Sequence, residues 1–149
     1  MKNLVLAASL LATTLVGFTT TAPAMAEETN PSIVHRQATY SVAAGHLNSL
    51  KAILFLGGKG DATYHAEGIK SAYEHMGNAY PAGSDKGETK AKAEIWSNME
   101  DFKAKGKDSY GATLALIEAT KGADQKATAA AFKKVAGTCK ACHKEYRAK

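Results

Sequence analysis

The chain has 149 residues and a formal charge of +5; 45% of its residues are hydrophobic, 22% are charged and three are proline. That length fits one domain, the composition excludes a disordered or collagen-like chain, and two cysteines are too few for a disulfide-built scaffold. The positive charge permits nucleic-acid binding, but the aromatic residues form no basic-aromatic interleaved stretch, so no nucleic-acid partner is expected.

The first 26 residues read as an export signal. Lys2 gives a positive start, Leu4 to Val16 is an apolar run without charge, and Ala24-Met25-Ala26 is a small-x-small cleavage pattern. A membrane anchor needs about 20 apolar residues, and threonines at 13, 14, 19, 20 and 21 thin this run out. The expected domain layout is therefore a cleaved signal over 1–26 and one folded domain over 27–149, soluble, without a membrane anchor and periplasmic in a Gram-negative cell.

Glycine and proline divide the rest into four helical candidates. The first opens at Asn30-Pro31, a capping residue followed by proline at the first helical position, and stops at Gly57-Gly58. Its expected inward stripe is Ile33, Gln37, Tyr40, Ala44, Leu47, Leu50 and Leu54. Asp61 caps the second, with Ala62, His65, Ile69, Ala72 and Met76 on one face, and Gly77-Asn78 and Pro81 ending it. After a loop over 81–90, a third helix is expected over roughly 90–121, with Ile95, Met99, Phe102, Gly106, Tyr110, Thr113 or Leu114, and Ile117 facing inward. Asp124 caps the fourth, which carries Phe132, Val135, Cys139, Cys142 and Tyr146 to the C-terminus. No window alternates as a strand would. The expected fold class is all-α, an antiparallel four-helix bundle. Its alanine-rich stripes leave a modest core, a deficit that a large apolar prosthetic group inside the bundle would repair.

Cys139-Lys140-Ala141-Cys142-His143 is the Cys-x-x-Cys-His attachment sequence of a covalent haem c. On a helix, positions i, i+3 and i+4 share one face, so two thioethers and an axial imidazole approach the same macrocycle. Neutral imidazole is a suitable iron donor. A thioredoxin-like redox pair would want a βαβ context. A zinc site would need a fourth ligand at a recognisable spacing, which His35, His46, His65 and His75 do not offer.

The face opposite His143 decides the chemistry. A second strong ligand makes an electron carrier, and an open position admits a small gas. Tyr40 lies on the inward stripe of the first helix, whereas His35 and His46 lie off it and read as solvated surface residues. His65 and Met76 lie on the second stripe and are the alternatives as sixth ligand. A neutral phenol is a poor ligand, its pKa being near 10, so Tyr40 either screens the iron or is an ordinary core tyrosine.

Over nearly all of residues 31–149 the sequence resembles the cytochrome c′ family. The resemblance rests on Arg36-Gln37-Ala38-Thr39-Tyr40, on Ala79-Tyr80-Pro81-Ala82-Gly83-Ser84-Asp85, on Glu94-Ile95-Trp96, and on the C-terminal haem motif followed by Lys144-Glu145-Tyr146-Arg147. It implies a left-handed four-helix bundle, often a homodimer packed through its first helices, with one pentacoordinate, largely high-spin haem. Carried over by position, His143 is the axial iron ligand and Cys139 and Cys142 are the thioether sites. Arg36 and Gln37 lie near the haem edge, Arg36 close to a propionate, with Trp96 packing near the macrocycle and Arg147 on the proximal side. Low-spin relatives place methionine four residues after the arginine; here Tyr40 stands there.

The reading is a periplasmic monohaem cytochrome that binds nitric oxide and carbon monoxide and cycles one electron, and that is not an enzyme. Its redox partner is unidentified; the basic residues of the last helix would steer an acidic one or simply form a solvated face. The alternative is a low-spin electron-transfer cytochrome with His65 or Met76 on the iron. A peroxidase would want a distal acid-base histidine, and the periodicity places none.

Overall fold

The structure is a computed structural model that describes residues 29–149, so the signal expected over 1–26 lies outside the described residues. Among the described residues five helices follow one another: α1 Pro31–Phe55, α2 Ala62–Glu74, α3 Glu94–Ser97, α4 Met99–Lys121 and α5 Gln125–Tyr146. The long helices close a ring in which α1 packs on α2, α2 on α4, α4 on α5, and α5 back on α1. This is the expected four-helix bundle, with α3 as a short addition against α4. None of the helices described is long and apolar enough to cross a membrane.

The three capping residues read from the sequence do what their chemistry requires. The Asn30 side chain accepts from the Ser32 amide at 3.0 Å. Asp61 accepts from the amides of Thr63 and Tyr64, and Asp124 from those of Lys126 and Ala127. Each supplies an acceptor to donors that the first helical turn leaves unpaired. Gly57, at φ 73°, makes the left-handed turn that ends α1.

The core runs through Leu50, Ala66, Ile69, Ala112, Leu116, Ile117, Phe132 and Val135, and Leu47, Tyr73 and Cys139 pack against its edge. In α1 the inward face differs from the expected one by a residue at two places: Arg36 is buried where Gln37 was expected, and Ala43 is half-buried where Ala44 was. An apolar stripe cannot reveal a buried arginine. In α2 the buried positions are Ala66, Ile69 and Ala72, with His65 only half-buried.

The third expected helix is two. Residues 90–93 are drawn out of helical pairing by the C-terminal segment: the Lys92 amide donates to the Tyr146 carbonyl at 3.0 Å and the Ala148 amide to that of Lys90 at 2.8 Å. The chain then makes one turn, breaks at Asn98 (φ −126°, ψ 45°) and restarts as α4. Ser109 and Thr113 face inward on α4, since their hydroxyls donate to the carbonyls of Lys105 and Ser109 one turn back, while Leu114 faces out. The last helix ends at Tyr146, not at the terminus, and Arg147 is extended and pairs with Ala91.

Candidate haem site

Helix α5 carries Cys139, Cys142 and His143, and Cys139 packs against the edge of the core. Both thiols are half-buried and His143 is exposed. Burial, with Cys139 adding to it, pushes the Cys142 thiol up. Burial and the neighbouring Arg147 guanidinium hold the His143 imidazole below its ordinary value, which favours the neutral, lone-pair form that a metal takes.

Tyrosines gather round the two sulfurs. The Tyr73 hydroxyl lies 3.7 Å from Cys139 Sγ. Tyr40, from α1, lies near both Cys142 and Tyr73, and its hydroxyl accepts a hydrogen bond from Tyr80 at 3.3 Å. Burial above all, with Tyr80 beside it, pushes Tyr40 ionisation far above the phenol value, so the side chain is a neutral phenol at every ordinary pH. Tyr73 is raised for the same first reason.

Behind Tyr80 lies an aromatic stack. Its ring meets Trp96 and Phe102 edge-on at 5.8 and 4.7 Å, and Phe102 meets Tyr146 at 5.3 Å. Trp96 Nε1 donates to the Pro81 carbonyl at 3.0 Å. The Arg36 guanidinium carbon sits 5.0 Å from the Tyr80 centroid and 5.7 Å from that of Trp96.

Arg36 is 2% exposed and is the anchor of the 79–89 loop. Its two terminal nitrogens donate to the carbonyls of Ala79 and Ser84 and to the hydroxyls of Ser84 and Thr89, at 2.7–3.4 Å. Gln37, exposed one residue on, donates to the Glu88 carbonyl at 2.8 Å. Among the described residues Arg36 has no carboxylate within ion-pair distance. A buried cation held only by dipoles and ring faces is short of a counter-charge, which an anionic propionate would supply. These residues fit a haem.

The predicted site residues therefore fall into two groups. Tyr40 is brought to Cys139 and Cys142 through Tyr73, with His143 next to Cys142, while Arg36, Gln37 and Trp96 hold the loop that carries Tyr80. Arg147 lies one residue beyond α5 but stays near enough to His143 to act on its charge. His65 is turned to another partner, its Nδ1 lying 3.1 Å from His46 Nδ1. His46 is accordingly half-buried between α1 and α2, and not a solvated surface residue. Met76 lies past the end of α2, in a turn where its amide donates to Tyr73 and its carbonyl accepts from Ala79.

A family model described as Cytochrome C′ matches residues 32–147. The chain belongs to the cytochrome c′ family. It is 33% identical to the cytochrome c′ of Rhodospirillum rubrum across 99% of both chains. It is also 35% identical to a cytochrome c-556 of Agrobacterium tumefaciens, over 76% of this chain and 94% of the relative. The fold matches the cytochrome c prime of Shewanella frigidimarina with a TM-score of 0.74 at 30% identity, covering 79% of this chain and 94% of that one. It matches a nitric oxide complex of an Alcaligenes xylosoxidans cytochrome c prime variant at 0.72 and 27% identity, covering 79% and 94%. Membership of the cytochrome c′ family makes the prosthetic group a single covalent haem c.

Sequence reasoning gave no role to Tyr73, Tyr80, Ser84 or Thr89. Ser84 and Thr89 carry no periodic signal, because they act through hydrogen bonds to Arg36 from a loop. Tyr80 belongs to the Ala79-Tyr80-Pro81 segment of the family resemblance, and only the fold shows that its hydroxyl reaches Tyr40.

Proposed function

We propose that this cytochrome c′ works in the periplasm as a five-coordinate, high-spin haem protein that takes nitric oxide or carbon monoxide and cycles one electron. In this reading Cys139 and Cys142 form the thioethers and His143 is the axial ligand. Arg36 faces a propionate with Gln37 beside it, Trp96 packs near the macrocycle and Arg147 flanks the proximal imidazole. The bound haem supplies the iron that exchanges one electron and accepts a gas. The chain's own contribution is to keep other donors away from that position.

One observation carries the reading: the residue four positions after Arg36 is Tyr40, a half-buried, un-ionised phenol whose oxygen is already engaged by Tyr80. Such a group is a poor iron ligand and a good steric screen. The two rival donors are weaker claims, because His65 pairs with His46 and Met76 sits in a turn beyond α2. Among its structural neighbours, an Alcaligenes xylosoxidans variant was solved as a nitric oxide complex, and another cytochrome c′ is described by ligand-controlled dimer dissociation. Those properties support ligand binding, and a homodimer, as the reading here. The export signal read in residues 1–26 supports the compartment.

Absorption spectra of the ferric and ferrous holoprotein, with and without carbon monoxide, test it. A high-spin ferric spectrum and a ferrous form that binds carbon monoxide without displacing a protein ligand are expected. A ferric near-infrared band of iron–methionine ligation, or a low-spin bis-histidine spectrum, would replace this reading by electron transfer alone.

A further inference from the structure

On the side of the bundle where α1 meets α2, two histidines face each other outside the haem site. His46 Nδ1 and His65 Nδ1 lie 3.1 Å apart, with ring centroids at 5.3 Å and planes tilted by 58°. Space for the His46 ring is built into the neighbouring helix: a Cβ at residue 68 would lie 2.3 Å from His46 Nε2, and residue 68 is glycine. Tyr64 closes the other side, edge-on to both rings at 5.6 and 5.1 Å. A groove of about 350 Å³ opens beside His46, lined also by Val42, Thr39 and Ser71.

The separation of the two nitrogens matches the bite of a metal. With bonds of about 2.0–2.1 Å, two donors on a tetrahedral zinc lie about 3.3 Å apart, and two donors at a right angle about 2.9 Å. The observed separation falls between them. Two neutral imidazoles at this contact can share only one Nδ1 proton, and moving that proton to Nε2 leaves both Nδ1 lone pairs free without changing the charge. Burial and the adjoining His65 ring hold His46 below the ordinary imidazole value, so the neutral form is the resting one at neutral pH. Imidazole donors select borderline divalent metals over magnesium or calcium.

We propose that His46 and His65 form a two-imidazole site for a divalent d-block cation of the zinc–copper class, bridging α1 and α2 and completed by water. It is separate from the haem site and independent of the gas-binding reading. The two helices that it ties are not adjacent turns of one segment, so a bound ion stabilises the bundle by linkage as well as occupying a site.

The test uses tag-free holoprotein and zinc ions as probe, followed by calorimetry at neutral pH, with magnesium as control. One zinc per chain is expected, with the haem spectrum unchanged, a higher thermal midpoint in zinc, and no response to magnesium. His46→Gln and His65→Gln, made separately so that either can serve, are each expected to weaken binding at least tenfold and to abolish the midpoint shift. His75→Gln, in the same groove but outside the pair, is expected to leave both unchanged. The absence of saturable one-to-one binding overturns the proposal. So does binding that survives both glutamine variants, or binding that falls equally in His75→Gln.

Discussion

Arg36 shows how one residue can tie a local sequence to a distant loop. Burying a guanidinium costs free energy unless its hydrogen bonds are made, and hydrogen bonds to a charged group contribute roughly 1.5–3 kcal/mol each at best. Its terminal nitrogens bond four acceptors across residues 79–89. Arg36→Met is therefore expected to lower stability by about 3 kcal/mol, read from the urea midpoint of the holoprotein. Arg36→Lys should recover little of it, because a single ammonium cannot serve a planar fork of acceptors. Tyr40 is the second residue on which the site turns. If it screens the iron by bulk, Tyr40→Ala should speed carbon monoxide association by roughly tenfold, equivalent to ~1.4 kcal/mol of barrier. Tyr40→Phe keeps the ring and should stay within about twofold of the parent rate. Flash photolysis gives both rates, and a parent-like alanine variant would remove Tyr40 from the gate. Sequence alone exposes such residues unevenly. The haem motif at 139–143 is readable because its spacing is its chemistry. The tyrosine hydroxyls are not, since Tyr73 and Tyr80 earn their places from contacts made by residues 66 and 40 positions away.

At the scale of elements, helix starts were legible and helix faces less so. Asn30, Asp61 and Asp124 announce α1, α2 and α5 because a cap is a local, side-chain-to-backbone event. Asp124→Ala should cost about 1 kcal/mol, measured as a shift in the urea midpoint, since two amides lose their acceptor. The break between α3 and α4 has no local announcement. It follows from pairing of residues 90–92 with the C-terminal segment, far along the chain. That junction is also pinned by Tyr146, whose hydroxyl donates to Asp101 at 2.5 Å. The hydrogen bond first, then burial and the nearby carboxylate charges, push Tyr146 up to about 12. A tyrosine raised in the folded state adds stability that is complete below its unfolded value near 10 and is lost as pH rises through the folded one. The stability advantage of the parent over Tyr146→Phe should therefore be constant from neutral pH to about 9 and shrink between about 10 and 12. Urea midpoints of the pair across that range check it; a gap that does not narrow would mean the hydroxyl keeps no proton for Asp101.

For the whole molecule, closing the ring α1–α2–α4–α5 fixes which surfaces are left to face outward. Most outward positions are charged or small, but α1 carries Val34, Ala38 and Val42 at four-residue spacing on its outer side, and the two valines are 49% and 54% exposed. A stripe of that period is one line on a helix. It runs beside the groove that holds His46, so α1 presents a continuous apolar edge where the proposed homodimer would pack. In a two-fold dimer every residue of the contact occurs twice, so a single substitution places two charges in the same interface. Val42→Glu should thus weaken self-association by at least roughly tenfold, or ~1.4 kcal/mol, and shift the holoprotein toward monomer in light scattering at micromolar concentration. Leu114→Glu is the matched control. Leu114 is also an exposed large apolar side chain, at 40%, but it lies on α4, away from that edge. Its charge should leave the molar mass unchanged. Equal dissociation by both variants would move the interface off α1, and a parent that is already monomeric would leave the valine stripe a plain solvent-facing one.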